Sequence, residues 1–277
     1  MSDVGRDVLI IALALFTSTV GSIGGLGGAI LLVPLLTLGD MTIAQAAPLG
    51  LVSVIAGSVA AGRRQVEDGI VNHRFGVVTE LGATSGAVIG VLLSGRLSNS
   101  ALTIVLALVA LLAAVGGAWR RGVRWKPDPS ASDRDVGERV GSLAGAYRLN
   151  GAVVPYVPSR MPIGVTLMMV SGVVTGLAGV GGGFLKTPLS SEVMRLPAKV
   201  AAGTSTFTIG LTATTALLLM AIDGRVVVSD AALVVIGALA GGTIGSNLQR
   251  HMSPQLVRRA TSMMLVAIAM VLVARAR

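Results

Sequence analysis

The chain is organised as a series of apolar stretches, each close to the roughly 20 residues an α-helix needs to cross the ~30 Å hydrocarbon layer of a bilayer. About eight can be drawn, over residues 8–38, 43–61, 75–93, 101–118, 162–189, 198–222, 228–248 and 257–274. A water-soluble domain does not accommodate this pattern. Charged residues make up 13% of the chain, against about 25% in soluble domains. The expectation is an all-α polytopic membrane protein. Arg6 and the apolar run behind it resemble a signal peptide, but no small-residue cleavage site follows and the run continues, so it reads as the first retained segment.

One long polar interval, 119–160, interrupts the series. It holds eight of the 22 Lys and Arg residues, Pro127, Pro129, Pro155 and Pro158, and all four Trp and Tyr residues: Trp119, Trp125, Tyr147 and Tyr156. The chain therefore divides into a first membrane unit (1–118), a solvent-side linker (119–160) and a second membrane unit (161–277). Trp and Tyr favour the headgroup region, so Trp119 and Tyr156 are candidate anchors for the flanking helix ends; packing inside a small extramembrane hairpin is the alternative. The net charge of +9 comes from basic residues between apolar stretches, as in cytoplasmic loops facing anionic lipid. A basic surface interleaved with aromatics, the signature of nucleic-acid binding, is absent from the sequence. Cysteine is absent too, which removes disulfide and thiol chemistry.

Overlaying the two membrane units reveals a repeat. Pro34 in GGLGGAILLVP falls on Pro188 in GVGGGFLKTP at an offset of 154. One insertion later the offset is 155, matching Ala46-Ala47 with Ala201-Ala202, Asp68-Gly69 with Asp223-Gly224, Gly86 and Gly90 with Gly241 and Gly245, and Ser98 with Ser253. Each repeat has four segments, and the first is unusual. As one helix, 8–38 would run roughly 46 Å at 1.5 Å per residue, too long for an upright crossing. The glycines in its middle are where a break costs least.

Two topologies follow. If the first segment crosses once, the repeats are parallel, and Lys and Arg outside the membrane divide 15 to 6 in favour of the linker's side. If it is a re-entrant hairpin, the repeats are inverted and the division is 16 to 5. The linker is cytoplasmic either way. Charge leans slightly towards inversion, and inverted repeats with broken helices are a recurrent transporter architecture.

The broken segments are also the strongest site candidates: Gly24, Gly25, Gly27 and Gly28 in one copy, Gly179, Gly181, Gly182 and Gly183 in the other. Irregular backbone at membrane depth persists only where protein or a water-lined cavity satisfies it, and exposed N–H groups at a helix start attract anions. Close helix packing through Gly172, Gly176, Gly179, Ser18 and Ser22 is the competing reading. Lys186 stands in an apolar stretch, where a charge is a functional candidate by default, unless it snorkels to the interface. Glu80 is its acidic counterpart. It is a candidate for carrying a coupling proton, for an interfacial position, or for pairing with a base such as Arg74. Gly203-Thr204-Ser205-Thr206 opens the sixth segment, and hydroxyls at a helix start can replace part of an anion's hydration shell.

Enzymatic chemistry has little to stand on. The two histidines, His73 and His251, lie in loops without a carboxylate cluster, and no nucleophile or Walker motif occurs. No cofactor is expected.

GVVTGLAGVGGGFLKTP (residues 172–188), followed by AAGTSTF (201–207), resembles the TauE/SafE family, the sulfite exporter or toluene-sulfonate uptake permeases. The likeness runs through both repeats. The first copy departs from the pattern: Ala29 replaces the last glycine, and Pro48-Leu49-Gly50 stands where the second copy has Gly203-Thr204-Ser205. The resemblance implies secondary transport of sulfite, sulfonates or related organosulfur anions across the cytoplasmic membrane. The expected partners are the anion, lipid, a coupling proton and a second copy of the chain. A passive anion channel of the same fold is the nearest alternative. A membrane scaffold or sensor docking through the linker is the alternative from another class.

Overall fold

In a computed structural model, which describes residues 3–24, 27–39, 41–118, 136–149, 151–248 and 254–275, the chain forms ten α-helices and a small sheet. Gly25, Trp119, Trp125, His251 and Ser253 lie outside the described residues. Among the described residues, six helices are long and apolar enough to cross a membrane. They lie in α1 (Asp3–Gly24), α3 (Ile43–Glu67), α4 (His73–Ser94), α6 (Met161–Ala178), α8 (Ala198–Ile222) and α9 (Val228–Leu248). Helices α5 (Asn99–Ala118) and α10 (Pro254–Arg275) contain shorter apolar windows.

The segment 8–38 is two helices, α1 and α2 (Ala29–Leu38), and 162–189 is α6 followed by α7 (Gly183–Pro188), which runs into a π-helical turn (Leu189–Val193). Positive φ at Gly27, Gly179 and Gly181 makes both breaks, a conformation that glycine adopts without a Cβ penalty. Beyond each break the chain folds back on the helix it left. A Cβ on Gly28 would lie 2.8 Å from the Ser18 Cα, and one on Gly182 would lie 2.5 Å from the Ser171 Oγ.

The long helices pair between the first and second halves of the chain. Helix α1 packs on α9, α4 on α6, α3 on α8 and α5 on α10. Two of these contacts are glycine ladders. Gly82, Gly86 and Gly90 of α4 press on the backbone of Val165, Met169 and Val173 in α6, and Gly237, Gly241 and Gly245 of α9 press on Ile11, Leu15 and Thr19 in α1. Both progress four residues at a time on each partner, so the paired helices run parallel. Such i, i+4 rows of small residues let backbones approach closely where no hydrophobic effect drives association. The packing role considered for Gly172 and Gly176 is met here, since a Cβ on either would overlap the Ala83 or Ala87 carbonyl.

Helix ends fix the sense of the bundle. Arg6 pairs with the buried Asp230 at 2.5 Å, joining the starts of α1 and α9. The Asn72 N–H donates to the Thr204 Oγ1 at 2.9 Å, joining the start of α4 to α8.

Part of the interval read as linker is ordered structure. β1 (Gly137–Glu138), β2 (Gly145–Leu149) and β3 (Ala152–Tyr156) form an antiparallel sheet in that order, with Gly145 opposite Tyr156 and Leu149 opposite Ala152. The sheet forms because Tyr147, Val154 and Tyr156 have an apolar floor to cover: Phe75 of α4, Met168 of α6, Met194 and Leu196 ahead of α8, and Val200 and Ala201 in its first turn. Tyr156 is therefore 4% exposed and sits under the sheet rather than at a lipid interface. Its hydroxyl accepts from the Asn72 Nδ2 at 3.1 Å.

Candidate functional site

Lys186 lies in the middle of the six-residue α7, with its N–H bonded to the Gly182 carbonyl at 2.8 Å. Its side chain does not snorkel. At 2% exposure it is enclosed, and its ammonium donates to Glu80 Oε1 at 3.0 Å, Glu80 Oε2 at 2.8 Å and Thr212 Oγ1 at 2.7 Å. The same Glu80 oxygen, Oε1, accepts the Thr212 backbone N–H at 2.9 Å and the Thr212 hydroxyl. Glu80 is 4% exposed. Its basic partner is thus Lys186, not Arg74, which turns out towards Glu138 and the Arg139 carbonyl. The reason is electrostatic. A charge of either sign is very unfavourable in this interior, and each is the counter-ion that makes the other tolerable.

Glu80 and Thr212 meet because α4 and α8 run side by side in a four-residue rhythm. Asn72 bonds Thr204, Gly76 would press a Cβ on Thr208 and Thr204, and Glu80 bonds Thr212. Gly76 is the small residue that lets the two threonines come close.

Helix α8 starts at Ala198 behind Pro197, so Thr204, Ser205 and Thr206 do not open it. They sit about two turns in, where backbone N–H groups belong to the helical ladder, and the free donors expected there are not available. Their side chains differ. Thr204 faces Asn72, Thr206 is partly buried with its carbonyl accepting the Ser58 hydroxyl at 2.8 Å, and the buried Ser205 Oγ has no hydrogen-bond partner among the described residues.

The glycine candidates surround another helix. Gly179 and Gly181 lie against Ala47, Gly50 and Val54 of α3 so tightly that a Cβ on Gly179 would overlap the Ala47 backbone. Gly182 caps α7 and its carbonyl accepts from Ser171 at 3.3 Å, while Gly183 is the first residue of α7. In the first half of the chain Gly24 ends α1 and Gly28 lies on Ser18, whose hydroxyl is 3.1 Å from that of Ser53 in α3. Gly27, at φ 82°, has open space where a Cβ would be. Both breaks therefore flank the same two turns of α3, residues 47–54. Lys186 is only three residues beyond Gly183, so α7 connects this region to the Glu80 carboxylate.

Asn72 was not singled out by the sequence. It caps α4 by accepting the Phe75 N–H at 2.9 Å and ties in the linker by donating to the Leu143 carbonyl at 2.9 Å.

A bundle of membrane-length helices enclosing a desolvated ion pair, with two broken helices alongside, has the build of a membrane transporter. The family model "Sulfite exporter TauE/SafE" matches residues 10–272, and the chain belongs to that family. It is 26% identical over 275 residues, 96% of this chain and 95% of the other, to a "Probable membrane transporter protein YunE" of Bacillus subtilis (strain 168). No solved structure matches the chain.

Proposed function

We propose that the protein is a secondary transporter that moves sulfite, a sulfonate or a related small organosulfur anion across the cytoplasmic membrane, without cofactor or enzymatic step. The observation that carries this reading is Lys186: a buried cation beside a glycine break, held by a single carboxylate. The site comprises Lys186, the backbone of the two breaks (Gly24, Gly25, Gly27 and Gly28; Gly179, Gly181, Gly182 and Gly183) and the hydroxyls of Thr204, Ser205 and Thr206. Ser205 supports it most directly, as a buried hydroxyl without a partner among the described residues.

The architecture we propose is a pair of inverted repeats, 1–118 and 161–277, whose first segments are re-entrant. The folding back at Gly28 and Gly182 supports re-entry. Inversion is supported by the helix ends, since α1 and α9 start together at Arg6 and Asp230, whereas α4 starts beside α8 at Asn72. With the linker 119–160 on the cytoplasmic side, 16 basic residues face the cytoplasm and five face out, in keeping with the positive-inside rule.

Purified protein in liposomes tests the reading by uptake of labelled sulfite, with sulfate and taurine as competitors. Saturable uptake with trans-stimulation is expected, and Lys186→Ala and Thr204→Val should impair it while the protein still inserts. Flux without counterflow would make the protein a channel. No flux of any of these anions would remove the proposed substrate class.

A further inference from the structure

Lys186 already has an anion. Its ammonium is occupied by both oxygens of Glu80, and the remaining bond goes to a neutral hydroxyl. Among the described residues, the neighbouring elements offer no second counter-ion. Helix α6 contains no titratable residue, the only one in α8 is Lys199 in its first turn, and the other acidic group near α7 is Glu192 in the π-helical turn, with Arg195 just beyond. On α4 itself, His73 and Arg74 face Glu138 of the sheet. Glu80 and Lys186 are thus a closed neutral pair, contributed by different halves of the chain.

We infer that substrate and Glu80 exchange places on Lys186, and that Glu80 takes up one proton when they do. This rests on the proposed anion transport. In the empty state the pair sums to zero. A monoanion bound at Lys186 beside an ionised Glu80 would leave the core at −1, whereas a monoanion beside a protonated Glu80 restores zero. During the exchange the two Nζ to carboxylate hydrogen bonds break, the ammonium bonds the substrate's oxyanion, and a proton from the aqueous side forms the Glu80 O–H. That O–H can donate to Thr212 Oγ1, while the Thr212 N–H keeps its acceptor on Oε1. No bond to the substrate is made or broken. Proton and anion therefore favour each other's binding by the same factor and cross together in a 1:1 ratio. The same logic fixes the ligand class as a monoanion, because a dianion would need a second proton and, among the described residues, no further group beside the pair could hold it.

The position of the pair fits a functional site. Lys186 rides on a helix of six residues between a glycine break and a π-helical turn, and π-helical turns recur at functional sites.

The test uses the full-length protein in liposomes with labelled methanesulfonate, a monoanion at every working pH and so unable to carry the proton itself, and with sulfite in parallel. An acid-outside gradient should drive accumulation of about tenfold per pH unit in the wild type, with an internal pH dye reading one proton per anion. Glu80→Gln, which leaves Lys186 without a counter-ion in the empty site, should lose gradient-driven accumulation and proton movement and retain at most exchange of labelled for unlabelled anion. Accumulation that persists in Glu80→Gln, or wild-type flux indifferent to the gradient, overturns the inference and leaves anion transport standing. Absence of flux for both anions overturns both. If Glu80→Gln does not fold, the wild-type proton count decides, and any value other than one refutes the exchange.

Discussion

Replacing Glu80 and Lys186 separately and together tests whether they are one electrostatic unit. In Glu80→Leu the ammonium keeps one of its three bonds, the one to Thr212 Oγ1. In Lys186→Met the carboxylate keeps both donors of Thr212. Each leaves a buried charge without its counter-ion, which costs about 3–5 kcal/mol, with Glu80→Leu at the upper end. At roughly 2–4 °C per kcal/mol, the single variants should melt about 6–20 °C below the wild type. The double variant fills the same volume with apolar atoms and should lie within about 1 kcal/mol of it, since apolar replacement of a buried pair is often neutral. The coupling energy should then exceed the roughly 0.5–3 kcal/mol of ordinary neighbours. Stepwise heating of detergent-solubilised protein, with the monodisperse fraction read by size-exclusion chromatography, measures this. A double variant as fragile as Glu80→Leu alone would refute the pairing. A stable but transport-dead double variant would separate the pair's role in transport from its role in folding.

Two further outcomes follow from other parts of the structure. Gly86→Ala should destabilise by about 1–2 kcal/mol, the overlap with the Met169 carbonyl outweighing the gain in helix propensity, whereas Gly57→Ala, with open space at its Cβ, should stabilise by up to about 1 kcal/mol; equal effects in the same melting assay would count against the ladder. Burial raises the phenol pKa of both Tyr147 and Tyr156, the chain's only tyrosines, with the Asn72 hydrogen bond opposing the rise for Tyr156. A raised folded pKa contributes stability that is present below the ordinary value near 10 and lost as pH climbs through the folded one. Absorbance at the phenolate band should therefore rise only above about pH 10, together with loss of the sheet, and an ordinary titration curve would show that the sheet is open.

Several features were legible because they rest on local chemistry. The bounds of α8 and α9, residues 198–222 and 228–248, could be read from apolar composition and flanking loops, and the two breaks from glycine. The Glu80 to Lys186 pair was half legible. Both charges stood out in apolar surroundings, and the rule that intramembrane charges seek each other would have joined them, but Arg74 was nearer in sequence and 106 residues separate the true partners. The four-residue spacing of Thr204, Thr208 and Thr212 carried the α4 contact in plain view, yet periodicity shows that a face exists and not what it meets. The sheet was hidden by length, since strands of two to five residues are too short for a hydropathy signal. Its readable trace was Asn150-Gly151 between two apolar-rich runs, a hairpin signature.

The interlocking of the glycine ladders sets an order for biosynthesis. The groove on α4 is filled by α6, so the ribosome must add 84 residues after Ser94 before Ala178 exists, roughly 4–17 s at about 5–20 residues per second. Helix α1 waits longer still, for α9, with Thr17, Ser18 and Thr19 already in the bilayer. A half-finished chain is therefore not a smaller version of the protein but one with two seams unfilled until its second half arrives.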